Sequence, residues 1–274
     1  MASQTKVREM IAKNNAKKGG LSDKIVPIIL AIISAISILT TIAILFTLLT
    51  ETITFFTRVP LSKFFLSGTW NPTGSSPEFG IWALIIGTLK ITVIATIVAV
   101  PIGLGAAIYL NEYASDRSRR IIKPILEILA GIPTIVFGFF ALTFVTPILR
   151  NLIPNLGEFN SISPGIVVGI MIVPMITSMS EDAMSSVPDK IREGAFGLGA
   201  TKFEVATKVV LPAATSGVVA SIVLGISRAI GETMIVSLAA GSSPTSSLSL
   251  TSSIQTMTGS VSYTHLTLPT NREV

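Results

Sequence analysis

The chain has 274 residues, 49% of them hydrophobic and 13% charged, with 20 Lys and Arg against 15 Asp and Glu. A soluble domain carries about 25% charged residues, so this composition excludes an ordinary water-soluble globule and indicates an integral membrane protein. Cysteine is absent, which excludes a disulfide framework and thiolate metal sites.

Residues 1–24 are polar and rich in Lys and Arg. The apolar run that follows, 25–49, is longer than the roughly 7–15-residue core of a cleaved signal, and reads as an uncleaved first span. The segment to residue 79 reads as an outer loop, with turn chemistry at Trp70-Asn71-Pro72-Thr73-Gly74. Trp70 and Trp82 suit interfacial anchors. Four further spans are expected at 80–110, 124–149, 164–180 and 213–241; against the roughly 20 apolar residues a bilayer requires, 80–110 is longer and 164–180 is short. Gly165-x-x-x-Gly169 and the small residues Gly103, Gly105, Ala106 and Ala107 let helices approach closely. Packing within one bundle outweighs dimerisation as their role. Pro101, Pro133 and Pro174 each remove a backbone donor and favour kinks. Lys90 interrupts the second span, as an interior contact or a path-lining cation. Glu127 reads as interfacial, and Glu181-Asp182 as a solvated helix end.

With the N-terminus inside, segments 1–24, 111–123 and 184–212 hold fourteen Lys and Arg, whereas the outer segments hold Arg58, Lys63 and Arg150. This bias predicts a cytoplasmic N-terminus. It also explains the positive charge as a topology signal, with no nucleic-acid partner implied.

The loop 184–212 carries two helix starts, Ser186-x-x-Asp189 with Pro188 in the first turn, and Thr201-x-x-Glu204. Gly197 and Gly199 separate them, giving helix, turn, helix. Such an element can seat in a partner's groove and pass on rigid-body motion; an ordinary amphipathic connector is the other reading.

The fifth span contains Arg228-Ala229-Ile230-Gly231-Glu232-Thr233. At positions i and i+4, Arg228 and Glu232 lie on one helix face, although a charge near a bilayer centre costs roughly 2.5–3.5 kcal/mol. Three readings stand. In the first, Arg228 offers its fork to a travelling oxyanion, Glu232 partners it when the path is empty, and Ser227 and Thr233 add hydroxyls. In the second, the pair is closed and fixes helix register. In the third, it relays protons in a secondary transporter. The chain has no P-loop signature and no metal-ligand cluster. Its single His, His265, lies in a polar tail, so no cofactor is expected on this chain.

Glu193-Gly194-Ala195, Gly199 and Val209-Val210-Leu211-Pro212 resemble, at matching spacing, the cytoplasmic pattern of ABC importer permeases. Gly194 stands where that pattern has Ala, and Val209 where it has Ile. The segment from Gly225 to Met234 is similar to that of phosphate ABC permeases of the PstC type. So are Phe79-Gly80-Ile81-Trp82, Gly87-Thr88-Leu89, and the stretches 101–113 and 130–140. The likeness covers about residues 20–258. It implies an all-α, polytopic membrane helix bundle of the MetI-like type, with five spans of an expected six. It implies a multi-pass permease subunit in a bacterial or archaeal inner membrane that moves inorganic phosphate inward. Its implied partners are a second phosphate permease, an ATP-binding cassette ATPase dimer that uses the ATP, and an extracytoplasmic phosphate-binding protein, within membrane lipid. Glu193, Gly194, Ala195, Gly199, Val209, Leu211 and Pro212 would then form the ATPase coupling element. A permease for phosphonate, sulfate or molybdate, and a secondary anion transporter, are the alternatives. The expected organisation is a cytoplasmic segment 1–24, a first span and outer loop 25–79, a permease core 80–241, an outer segment 242–259, and a foreign tail 260–274 that replaces the sixth span.

Overall fold

The computed structural model describes residues 21–72 and 76–267. The basic residues 1–20, Thr73 and Gly74 of the predicted turn, and residues 268–274 lie outside the described part. The chain divides into two units, Met1–Leu61 and Ser62–Val274.

The first unit is dominated by α1, Leu21–Arg58, of 38 residues. The apolar reading ended this span at Leu49, but the helix continues for nine more residues. Along the threonine-rich continuation the hydroxyls fold back onto carbonyls one turn earlier. Thr52 Oγ1 donates to Leu48 O, Thr54 to Thr50 O and Thr57 to Thr54 O. Such back-bonding removes polar groups that hydrocarbon would leave unsatisfied.

The second unit begins within the short α2, Leu61–Leu66, which is followed by a minimal antiparallel hairpin. Its strands are β1, Trp70–Asn71, and β2, Glu78–Phe79, with Trp70 opposite Phe79. α3 runs unbroken from Trp82 to Tyr113 through Pro101 and ends in a π-helical turn, Tyr109–Tyr113. There follow α4 (Asp116–Gly131), α5 (Thr134–Leu152), α6 (Ile162–Ser185), α7 (Asp189–Gly197), α8 (Lys202–Ala213), α9 (Thr215–Ile230), α10 (Met234–Ala239) and α11 (Met257–Thr267). Among the described residues, α1, α3, α5 and α6 are long and apolar enough to cross a membrane; α8 and α9, bent by 76°, make a fifth if taken as one span.

Two predicted spans are revised. The stretch 124–149 is not one helix: α4 stops at Gly131, Ile132 is extended, and Pro133 caps α5. Proline disfavours helical geometry in the residue before it and removes its own donor. Glu127 therefore sits on α4, outside the spanning helix. The stretch 213–241 is likewise broken, at Ala214 and again at Gly231–Thr233. By contrast, α6 is longer than the predicted 164–180.

The core is the α3–α6 contact. Ile91, Ala95 and Ala99 of α3 meet Val167, Val168, Ile172 and Ile176 of α6, joined by Phe137 of α5 and Ile235 of α10. Glycine makes the approach possible. A β-carbon on Gly165 would lie 2.7 Å from Ile94, one on Gly169 2.9 Å from Ala95 O, and one on Gly103 2.9 Å from Ile176. Gly165-x-x-x-Gly169 thus serves packing inside the bundle. A second apolar cluster joins Ala107, Met184, Val187, Val205, Val210, Ala214 and Val218 at the end that carries α7 and α8.

Charged side chains placed by sequence in or near spans are accounted for by this packing. Lys90 Nζ donates to Ser247 O and, at 2.8 Å, to Ser249 O. It is an interior contact that pins the 242–256 segment across α3. Glu181 is not the solvated end that was expected: it is buried, and Lys123 of α4 meets it at 2.7 Å. Asp182 is exposed.

Candidate functional site

Two regions hold the residues that the sequence singled out, the broken span around Arg228 and the loop bearing α7 and α8.

Arg228 lies in the last turn of α9. A cation there complements the negative helix end. Gly231 and Glu232 then close the helix with bonds to Ser227 O and Ala229 O, and the chain restarts as α10. Glu232 supplies the restart. Its Oε1 accepts the amides of Met234 at 3.1 Å and Ile235 at 3.3 Å. Its own carbonyl accepts from Thr258 Oγ1 at 2.8 Å. The expected Arg228–Glu232 pair is therefore absent. Glu232 is buried and engaged as a cap, whereas Arg228 is exposed, and no ion pair among the described residues includes either. The premise that failed is a continuous helix, without which positions four apart do not share a face. A carboxylate at a helix start satisfies amides that otherwise have no partner. Glu232→Gln retains an acceptor oxygen and is expected to leave thermal stability near wild type, whereas Glu232→Ala costs about 1 kcal/mol, read as a lowered unfolding midpoint.

Arg228 borders a cavity of about 280 Å³ with Leu126, Glu127 and Ile132 from the α4 end and Met171, Met175 and Ser178 from α6. Glu127, read from sequence as interfacial, thus lines the same cavity as Arg228. The two predicted hydroxyls are partly committed. Ser227 Oγ donates to Val223 O at 2.8 Å, and Thr233 Oγ1 faces Gly231 O at 3.4 Å. At the opposite end of α3 from α7, a cavity of about 600 Å³ is lined by Trp70, Asn71, Glu78, Ser242 and Gln255. Trp70 is therefore a cavity wall, which the turn motif alone did not reveal.

In the loop, Thr201 and Glu204 form a complete capping box: Glu204 N donates to Thr201 Oγ1 at 3.3 Å and Thr201 N to Glu204 Oε2 at 3.1 Å. The other predicted start fails. Ser186 caps the end of α6 and donates to Ala183 O, and α7 begins at Asp189 behind Pro188 without a side-chain cap. Gly199 has φ +86°, with Ala200 N bonded to Ala195 O. This is the left-handed helix stop that favours glycine. Gly199→Ala should lower stability by about 1–2 kcal/mol. Gly194 has open space where a β-carbon would go, so Gly194→Ala should be neutral or stabilising by up to about 1 kcal/mol; thermal unfolding of both variants checks the contrast.

The singled-out loop residues divide by role. Ala195 and Leu211 pack on the second apolar cluster, beside buried Val210, while Glu193, Gly194 and Pro212 are exposed and Val209 is half-buried. Sequence reasoning passed over the apolar residues that the same element presents outward. Ile191, Phe196, Leu198 and Phe203 are all exposed, Leu198 to 92%. Their signal was present as large apolar residues beside turn glycines in an otherwise polar loop.

Comparison with known proteins adds the family. The model of the binding-protein-dependent transport system inner membrane component matches residues 99–268, more than half of the chain. A Bacillus subtilis protein named as a probable ABC transporter permease, YqgH, is 38% identical over 65% of this chain and 58% of its own length. The phosphate transport system permease protein PstC of Haemophilus influenzae is 37% identical over 66% of this chain and 63% of that protein. Its Mesorhizobium japonicum counterpart is 34% identical over 73% of this chain and 66% of that protein. The chain spans about three-fifths of the length of these relatives. A chain of the inward-facing MetNI methionine ABC transporter superposes with a TM-score of 0.43 at 21% identity, over 56% of this chain and 68% of that one. The matched region takes in the second half of α3, all of α6, the α7–α8 loop and the broken α9–α10 segment, and this membrane chain belongs to the family of binding-protein-dependent transport system inner membrane components.

Proposed function

We propose that the chain is the permease subunit of an ATP-driven importer that moves inorganic phosphate into the cytoplasm, with hydrolysis carried out by separate ATPase chains. The observation that carries this reading is Arg228, an exposed guanidinium that borders a cavity and makes no ion pair among the described residues. Arg forks hold two oxygens of an oxyanion at once, and relatives at 34–38% identity are named for phosphate transport. In this reading the N-terminus and the α7–α8 loop face the cytoplasm. The cavity at Trp70 and Gln255 is the outer mouth, and Glu193, Gly194 and the exposed apolar residues of the loop meet the ATPase. The further partners are a second permease and an outer phosphate-binding protein. Glu232 acts by holding α10 in place, and Ser227 and Thr233 offer oxygens near the fork.

The deciding experiment is uptake of labelled phosphate by a reconstituted complex built with the full-length permease, with and without ATP. ATP-dependent accumulation supports the reading; accumulation without ATP moves the chain to the secondary transporters. A permease for another oxyanion remains the second reading, because the name of YqgH carries no substrate. Competition by excess sulfate, molybdate and phosphonate in the same vesicles separates the two.

A further inference from the structure

One residue before the Glu193-Gly194-Ala195 segment, Arg192 makes more polar contacts than any of the singled-out loop residues. Its side chain is 14% exposed. Nε donates to Glu112 Oε1 at 3.3 Å, Nη2 to Met184 O at 2.7 Å, and Nη1 to Val187 O at 2.6 Å and Asp189 Oδ1 at 2.9 Å. Glu112 belongs to the π-helical turn that ends α3, and its side chain is 6% exposed. The network runs on from there. Asn111 Nδ2 donates to Glu112 Oε1 at 2.6 Å, and Ser185 Oγ of α6 donates to Asn111 Oδ1 at 2.9 Å. Arg119 of α4 donates to Leu110 O and Asn111 O.

One guanidinium therefore ties α7 to the ends of both α3 and α6, the two helices whose glycine-lined contact forms the core. The chemistry suits a mechanical joint. A planar fork with five fixed donors constrains direction as well as distance. The Met184 carbonyl belongs to the last turn of α6, where carbonyls lack helical partners and a cation is favoured. A buried carboxylate that loses its cation is strongly destabilised, so the two charges resist separation. Arg192 faces inward, while Phe196, Leu198 and Phe203 of the same helix–turn–helix are exposed. One side of the element is open to a partner and the other is bolted to the bundle.

We infer that the Arg192–Glu112 pair is the joint through which displacement of α7 reaches α3 and α6, and that both are positioning residues for coupling. This rests on the reading of the 184–212 loop as the ATPase dock.

The test uses the full-length permease in its complex, with Glu112→Gln, which keeps shape and the Asn111 bond but removes the charge, and Arg192→Lys, which keeps the charge but loses the fork. Two measurements are made. Amide hydrogen exchange over 189–197 reports whether the joint holds α7, whatever the substrate. Stimulation of ATP hydrolysis by phosphate-loaded binding protein reports transmission. Both variants are expected to retain the ATPase subunit on co-purification, to exchange faster over 189–197, and to lose at least about fivefold of the stimulation, the lower end of an allosteric coupling. Unchanged exchange overturns the joint. Faster exchange with wild-type stimulation overturns its part in transmission. Loss of ATPase association in both variants also overturns it, because the pair would then belong to the dock. If the wild-type complex gives no stimulation by phosphate-loaded binding protein, it is the proposed function that fails, and the exchange measurement still decides whether the joint exists.

Discussion

Arg228→Ala is expected, on the function proposed above, to lower the initial rate of labelled phosphate uptake into proteoliposomes by at least about tenfold, while the variant still copurifies with the ATPase of the complex. The magnitude follows from losing a charge-assisted contact, worth about 1.5–3 kcal/mol, or roughly 10- to 150-fold. The fold of the chain should survive the change: the side chain is exposed beside a cavity and makes no ion pair among the described residues, so its removal leaves no buried charge behind. Arg228→Lys should fall between the two, since an ammonium keeps the charge but cannot hold two oxygens in one plane. Uptake by the alanine variant within twofold of wild type would remove Arg228 from the path, and with it the physical basis for an anionic substrate.

Gly169→Leu should be the most damaging single change to the fold. A β-carbon there already sits 2.9 Å from both Ala95 O and Val98 Cβ. One neighbour is backbone and cannot rotate away. Overpacking of this kind costs about 1–3 kcal/mol and at times more, and here it forces apart the two helices that carry most of the core. The expected readout is a lowered thermal midpoint in detergent with loss of the monodisperse peak on size exclusion. Gly105→Leu is the matched control. Gly105 lies on the same apolar helix, but a β-carbon there meets nothing within 4 Å, so its variant should behave as wild type. Equal loss in both would mean that added bulk anywhere in the bundle is harmful, and the glycine contact would lose its special status.

The spans legible in sequence were those whose apolar run coincides with one uninterrupted helix. Leu21–Arg58, Trp82–Tyr113 and Ile162–Ser185 were found within a turn or so at most ends, although the threonine-rich end of the first was mistaken for loop. The errors fell where apolar character continues through a backbone break. At Ile132-Pro133 hydropathy gives no warning and only the proline marks the change of direction, whereas at Gly231–Thr233 the glycine and Glu232 both mark it, and the carboxylate was read as a partner for Arg228 instead. Capping chemistry was legible where nothing competed for the residue. Thr201 and Glu204 form their box, whereas Ser186 is still occupied in ending the previous helix. Contacts between distant elements were not legible at all. Lys123–Glu181 and Arg192–Glu112 depend on how helix ends come together, and no local spacing encodes that. The same limit explains the site: Arg228 was singled out as an unusual cation and assigned its sequence neighbour Glu232 as a companion, while Glu127, about a hundred positions away, shares its cavity.

The interruption at Gly231–Thr233 puts the two acid–base members of this segment on separate levers. The guanidinium rides on the arm continuous with the 76° elbow and the loop beyond it. The carboxylate is moored to the arm that leans on Thr258. Any change of angle between the two arms would alter the distance between the two charges. In the function proposed above, that distance would set how firmly the fork holds an oxyanion.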